Sequence, residues 1–114
     1  MITRFPGLTA TRSRAVVHDG LVFTVAVSPD ADGDVYTQTR KALRRIDESL
    51  VMSGIDKSRI LSAVVYISDI SRKNEMNRAW DEWVDPANPP MRACLGVDLE
   101  PPHLVEIVVT AVSP

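Results

Sequence analysis

With 114 residues and a formal charge of −2, the chain has the size of one small domain and no overall positive field to draw it onto nucleic acid. Hydrophobic residues make up 45% and charged residues 25%, an ordinary globular balance, and no apolar run approaches the roughly 20 residues of a membrane-spanning helix. A single cysteine, Cys94, excludes an internal disulfide, and no Cys/His spacing matches a zinc site, so the chain reads as a metal-free protein of a reducing, cytoplasmic compartment.

The opening MITRFPGLTATRSR has no acidic residue and several Ser, Thr and Arg, as transit peptides do. Without the apolar segment of a secretory signal, it reads as an extended arm ahead of the first strand. RAVVHDGLVFTVAV reads as two short strands around Asp19-Gly20, a dipeptide that tolerates the positive φ values of a tight hairpin. SPDADGD breaks the pattern. From about Asp34 the positions Val35, Thr39, Ala42, Leu43, Ile46 and Leu50 recur at helical spacing until Gly54 supplies a stop. The other face of this helix carries Arg40, Lys41, Arg44, Arg45 and Asp47, either a solvated surface or an attraction for anions.

ILSAVVYIS, from Ile60, is rich in β-branched residues and apolar on both faces, which predicts a strand covered on both sides. Ser71 is the expected N-cap of a second helix whose stripe is Met76, Ala79, Trp80, Trp83 and Val84, ended by Pro86 and Pro89-Pro90. RACLGV and LVEIVVTAV then form two final strands joined by a proline-containing connection, giving the order ββαβαββ. Two helices cover only one face of such a sheet. The apolar strands therefore call for a symmetric homo-oligomer, with sites between subunits.

Alternation along the strands puts Arg92, Cys94 and Gly96 on one face of the first C-terminal strand and Glu106, Val108 and Thr110 on one face of the second. An antiparallel pairing around Glu100-Pro101 would bring Cys94 near Glu106 and make Arg92 its diagonal neighbour. Glu106 is then either an ion-pair partner of Arg92, holding register for little net gain, or the group that positions water beside an arginine left free to grip a ligand carboxylate. Cys94 reads as a lining residue, since neither His18 nor His103 has a spacing that marks it as a base.

The segments QTRKALRRIDESLVMSGID, VVYISDISRKNEMNRAWDEWV, PPMRACLGVDL and LVEIVVTAV together resemble the RidA/YjgF family, the reactive intermediate deaminases, across nearly the whole chain. The pairing of P-x-R-x-C with a final VEI strand carries the resemblance, and MNRAWDEWV looks closest to a branch diverged from the founding deaminases. The resemblance implies an α+β, chorismate-mutase-like subunit with residues 1–114 in a single domain, two helices on one face of a mixed sheet, and a homotrimer with a central barrel and interfacial clefts. It implies hydrolysis of 2-imino or enamine acids to 2-keto acids and ammonia without a cofactor, metal, nucleic acid or membrane. By family position Arg92 clasps the substrate carboxylate, Glu106 attends the attacking water, and Cys94, Asn77 and Ala26 complete the substrate contacts.

The chain departs from the family where Ser-Gly-Gln is usual in the second strand: it has Thr24, Val25, Ala26 and Val27, while Arg12, Ser13 or Arg14 stands near the usual covering tyrosine. The second reading is therefore a non-catalytic trimer that binds a small carboxylate. A chorismate-mutase-type isomerase shares the architecture but fits the helix motifs less well, and the acidic balance argues against a ribonuclease.

Overall fold

The computed structural model describes residues 1–114. Its first hairpin forms as the sequence predicts. Strand β2 (Ser13–His18) pairs antiparallel with β3 (Leu21–Val27), and Asp19 and Gly20 between them have φ of 51° and 80°, the two positive values that a mirror-image two-residue turn requires. The opening arm is more than extended: Thr3–Pro6 is a strand, β1, on the outer side of β2. Four residues ending in proline carry too little alternation to announce themselves. The order is thus βββαβαββ rather than ββαβαββ.

Helix α1 (Val35–Met52) begins where Asp34 caps it, the carboxylate accepting the Thr37 amide at 2.8 Å. It ends at Gly54, whose φ of 81° lets the Gly54 and Ile55 amides reach back to the Val51 and Leu50 carbonyls. All six predicted stripe residues are buried. Each large one contributes about 1.5–3 kcal/mol through burial.

Helix α2 (Lys73–Trp83) starts differently from the expectation. Asp69, not Ser71, is the capping side chain: it accepts the Ser71 amide and hydroxyl and so stabilises a single 3₁₀ turn, Ile70–Arg72, that leads into the helix. Ser71 serves as donor because the chain already turns one residue before it. Met76, Ala79 and Trp80 are buried, and Trp83 packs at the border with its ring centroid 5.3 Å from that of Trp80.

Strands β4 (Ile60–Ile67), β5 (Met91–Gly96) and β6 (Val105–Val112) complete a six-stranded mixed sheet in the order β1-β2-β3-β6-β4-β5. The two C-terminal strands are not a hairpin. β5 runs parallel to β4, because the β4–α2–β5 segment is a strand–helix–strand crossover, and β6 inserts antiparallel between β3 and β4. One face of the sheet buries Val22, Ala63, Val65, Ile67, Val105, Ile107 and Val109 beneath the helices, α1 lying over β3 and β6 and beside α2. On the opposite, open face Phe23, Val25 and Val108 are 43%, 41% and 37% exposed, an apolar surface the chain itself leaves uncovered.

Candidate functional site

Strand register assigns each candidate residue to a face. Arg92, Cys94 and Gly96 pair with Ala63, Val65 and Ile67, which are buried, so all three point to the helix side of the sheet. There, on the edge strand, the half-buried Arg92 meets α2. Its Nη2 donates to Asn77 Oδ1 at 2.9 Å, its Nη1 reaches Met76 Sδ at 3.7 Å, and the guanidinium lies 5.2 Å from the Trp80 ring centroid. No carboxylate pairs with it. A guanidinium has five N–H donors, so a neutral amide and an aromatic face orient this one while leaving charge and donors for a ligand.

Cys94 is half-buried against the core. No histidine stands by it: His18 Nδ1 is 3.1 Å from the Met1 carbonyl oxygen and His103 Nε2 is 3.2 Å from that of Ser28.

Glu106 lies elsewhere. It pairs with Val27 on one side and Tyr66 on the other, between the buried Val105 and Ile107, and therefore projects to the open face. It forms no ion pair and no side-chain hydrogen bond within the chain. The expected proximity of Cys94 and Glu106, and with it a register-holding Arg92–Glu106 pair, is corrected here: β4 separates the two strands, and the side chains leave the sheet in opposite directions.

Glu106 instead lines a cavity of about 260 Å³ with Leu8, Arg12, Arg14, Val27 and Arg45. Ala26 lines it too, although Ala26 itself is only 4% exposed and packs into the core beneath α1. The candidates thus lie in two places, Arg92 with Asn77 and Cys94 on the helix side of β5, and Glu106 at the cavity whose lining includes the Ala26 position. The sequence points to the arginines beside Glu106 only loosely: Arg12 and Arg14 stand near the position of the family's covering tyrosine, and Arg45 lies on a helix face that reads as either solvated or anion-attracting. Its position next to the core residue Ile46 places Arg45 at the border of the buried stripe.

A second hollow, between α1 and α2, is lined by Tyr36, Arg40, Arg44, Lys57, Glu82 and Trp83. Most of its polar groups are engaged in joining the helices: Arg78 stacks on the Tyr36 ring at 3.9 Å, Tyr36 donates to Glu82, Lys57 donates to the Trp83 carbonyl, and the Trp83 indole donates to Asp47. No three His, Cys, Asp or Glu side chains converge on one point.

A family model described as Endoribonuclease L-PSP matches residues 6–113. A RutC family protein of Haemophilus ducreyi is 44% identical over 113 residues, covering 97% of this chain and 96% of the relative. The chain belongs to the RidA/YjgF family. Within that family, the RutC family protein YoaB of Escherichia coli is 34% identical over 87% of this chain and 88% of its own. The crystal structure of a YjgF family member from Neisseria meningitidis superposes with a TM-score of 0.93 at 38% identity, covering 100% of this chain and 96% of that one. The RidA/YjgF fold, two helices on one face of a mixed six-stranded sheet, is therefore the α+β architecture the sequence resemblance implied.

Proposed function

We propose that residues 1–114 form one domain that assembles as a cytoplasmic homotrimer and hydrolyses 2-imino acids to 2-keto acids and ammonia at sites shared between subunits. The observation that carries this reading is the state of the two charged candidates. Arg92 is oriented by neutral groups with no counter-ion, and Glu106 is partnerless on a face whose apolar neighbours remain exposed. A half-buried carboxylate without a partner is costly in a structural role and useful in a chemical one. Covering the open face with a second subunit would bury Phe23, Val25 and Val108 and would bring another chain's groups to Glu106.

The chemistry asks little of the protein. Arg92 holds the substrate carboxylate in a charge-assisted, bidentate contact worth about 1.5–3 kcal/mol. As water oxygen bonds to C2 of the protonated imine, Glu106 accepts a water proton and the π electrons pass to nitrogen. Glu106 then returns that proton to the nitrogen, the carbon–nitrogen bond breaks, and ammonia leaves as the hydroxyl proton is released and the carbonyl forms. Cys94 and Asn77 shape the carboxylate end, and Ala26 stands beside Glu106. No cofactor is required for these steps.

One observation favours a second reading, a trimer that binds a small carboxylate without turnover. Thr24 is buried and donates its hydroxyl to the Arg14 carbonyl at 2.7 Å, so this strand offers the cavity no free hydroxyl. The deciding experiment generates 2-imino acids with an amino-acid oxidase and follows semicarbazone trapping. Less trapping with the wild-type protein, restored to the protein-free level with Arg92→Ala, is the expected result. Unchanged trapping across a panel of imines, alongside saturable keto-acid binding, would replace hydrolysis by the binding reading.

A further inference from the structure

Resting on the reading of Arg92 and Glu106 as two ends of one interfacial site, we propose that the preferred substrates are 2-imino dicarboxylic acids, whose second carboxylate is received by Arg45 and Arg12. The basis is an imbalance of charge in the Glu106 cavity. Three arginines line it against one carboxylate. Arg14 is already committed, its Nε donating to Ser49 at 3.0 Å and its Nη2 lying 3.5 Å from Glu48. Arg12 and Arg45 have no ion pair and no side-chain hydrogen bond within the chain.

The acidic groups that share the next hollow with Arg45 are also taken. Arg45 borders a neighbouring hollow with Asp30, Lys41 and Glu48, but both Asp30 oxygens accept from Lys41 at 2.9 Å and Glu48 faces Arg14. Glu106, the one carboxylate in the lining, pairs with neither free guanidinium. Arg12 is exposed, whereas Arg45 is half-buried beside the fully buried Ile46 and is the less hydrated of the two.

A neutral aliphatic arm entering this cavity would strip water from guanidiniums and return no hydrogen bond. A carboxylate arm replaces that water with a charge-assisted fork. Arg92 would then hold the substrate at its imino-acid end and Arg45, with Arg12, at the other. The loop that carries Arg12 is fixed closely: the Gly7 amide donates to the Arg12 carbonyl at 3.1 Å, and a Cβ at Gly7 would stand 2.7 Å from that oxygen.

The test compares hydrolysis of imines made from aspartate and glutamate with those from alanine and 2-aminobutyrate. In parallel, calorimetry measures binding of 2-oxoglutarate and 2-oxobutanoate. Wild-type protein is expected to favour the acidic member of each set by about tenfold or more. That ratio should collapse in Arg45→Gln, fall further with Arg12→Gln added, and be largely regained in Arg45→Lys, with circular dichroism confirming that each variant is folded. Hydrolysis without an acidic preference, or with a preference unchanged in the double variant, would overturn the proposal while leaving imine hydrolysis standing, and keto-acid binding with neither preference nor turnover would overturn both. Tight, Arg45-dependent binding of 2-oxoglutarate without turnover of any imine would support the charge assignment and overturn hydrolysis. No binding of either keto acid and no turnover would overturn both.

Discussion

Arg92 and Glu106 leave the same sheet in opposite directions, with the whole of β4 between their strands. Within one chain they cannot serve one ligand. If they act together, they do so from different subunits, and that turns a question about residues into one about mixing.

Arg92→Ala and Glu106→Gln are each expected to be inactive in imine hydrolysis. Unfolded and refolded together in equal amounts, they should regain activity, up to about a quarter of wild type in a closed ring where each site takes one residue from each of two neighbours. Activity assays on the refolded mixture decide it: no recovery, with oligomers of normal size, would mean that the two groups do not share a site across chains.

Val25→Asp should dissociate the assembly without unfolding the subunit. Val25 is 41% exposed on the open face and is not part of the buried core, so the substitution adds a charge to an apolar contact surface rather than to the interior. Light scattering should report a smaller particle while circular dichroism stays native. A particle of unchanged mass would place the subunit contact on another face.

Asp47→Ala should destabilise the subunit by about 1–2 kcal/mol, because it removes the acceptor of the half-buried Trp83 indole. The Trp83 Nε1 lies 3.1 and 3.0 Å from the two Asp47 oxygens and links α2 to α1. Urea unfolding should show a lowered midpoint, and Trp83 fluorescence should shift as its N–H loses that partner. An unchanged midpoint would show the contact to be dispensable.

Cys94→Ser should leave imine hydrolysis within a few-fold of wild type, on the order of the loss expected for a lining contact rather than a nucleophile. Neither histidine approaches the thiol, since both ring nitrogens that bond do so to backbone carbonyl oxygens. Inactivation of Cys94→Ser, or mass-spectrometric detection of a covalent adduct during turnover, would reassign the chemistry to the sulfur.

Acid should unfold the protein through its capping aspartates. Hydrogen bonds hold the carboxyls of Asp34, Asp56 and Asp69 below their ordinary range: the Thr37 amide acts on Asp34, and the Ser58 and Ser71 hydroxyls and amides act on Asp56 and Asp69. A depressed folded-state value gives stability that is complete above the unfolded value, about 3.9, and is lost as pH falls through the folded one. Urea midpoints should therefore decline below about pH 4. Asp34→Asn, which keeps a capping oxygen that cannot titrate, should make the decline shallower, and an identical profile would exclude Asp34 from it.

Local chemistry made much of the fold legible. The Asp19-Gly20 turn, the span from Asp34 to Gly54, the β4 strand and the aromatic stripe of α2 each rest on spacing, composition or one backbone requirement. The pairing of β5 was misread because strands adjacent in sequence, with prolines between them, suggest a hairpin. The longer signal was present: a strand, a helix and a strand in succession is the crossover that makes β4 and β5 parallel. At the site, strand alternation correctly grouped Arg92 with Cys94, but no spacing rule links Arg12 or Arg45 to Glu106, which meet only after β3, β6, α1 and the Gly7–Arg12 loop are in place.

Buried Gln38 adds a tie that periodicity could not reveal. Its amide nitrogen donates to the Ala31 and Pro102 carbonyls and its oxygen accepts the Leu104 amide, so α1 holds the connection that leads into β6.

The central place of β6 also bears on how the protein is made. Residues 105–112 are the only ladder between β3 and β4, so a nascent chain that has emerged from the ribosome as far as β5 holds two separate sheet fragments with facing, unfilled edges. Because β6 follows in sequence both of the strands it joins, it is the keystone of the sheet. The two fragments cannot close into one sheet before residues 105–112 are available, and until β6 arrives the exposed edges of β3 and β4 are where a chaperone, or another unfinished chain, would pair.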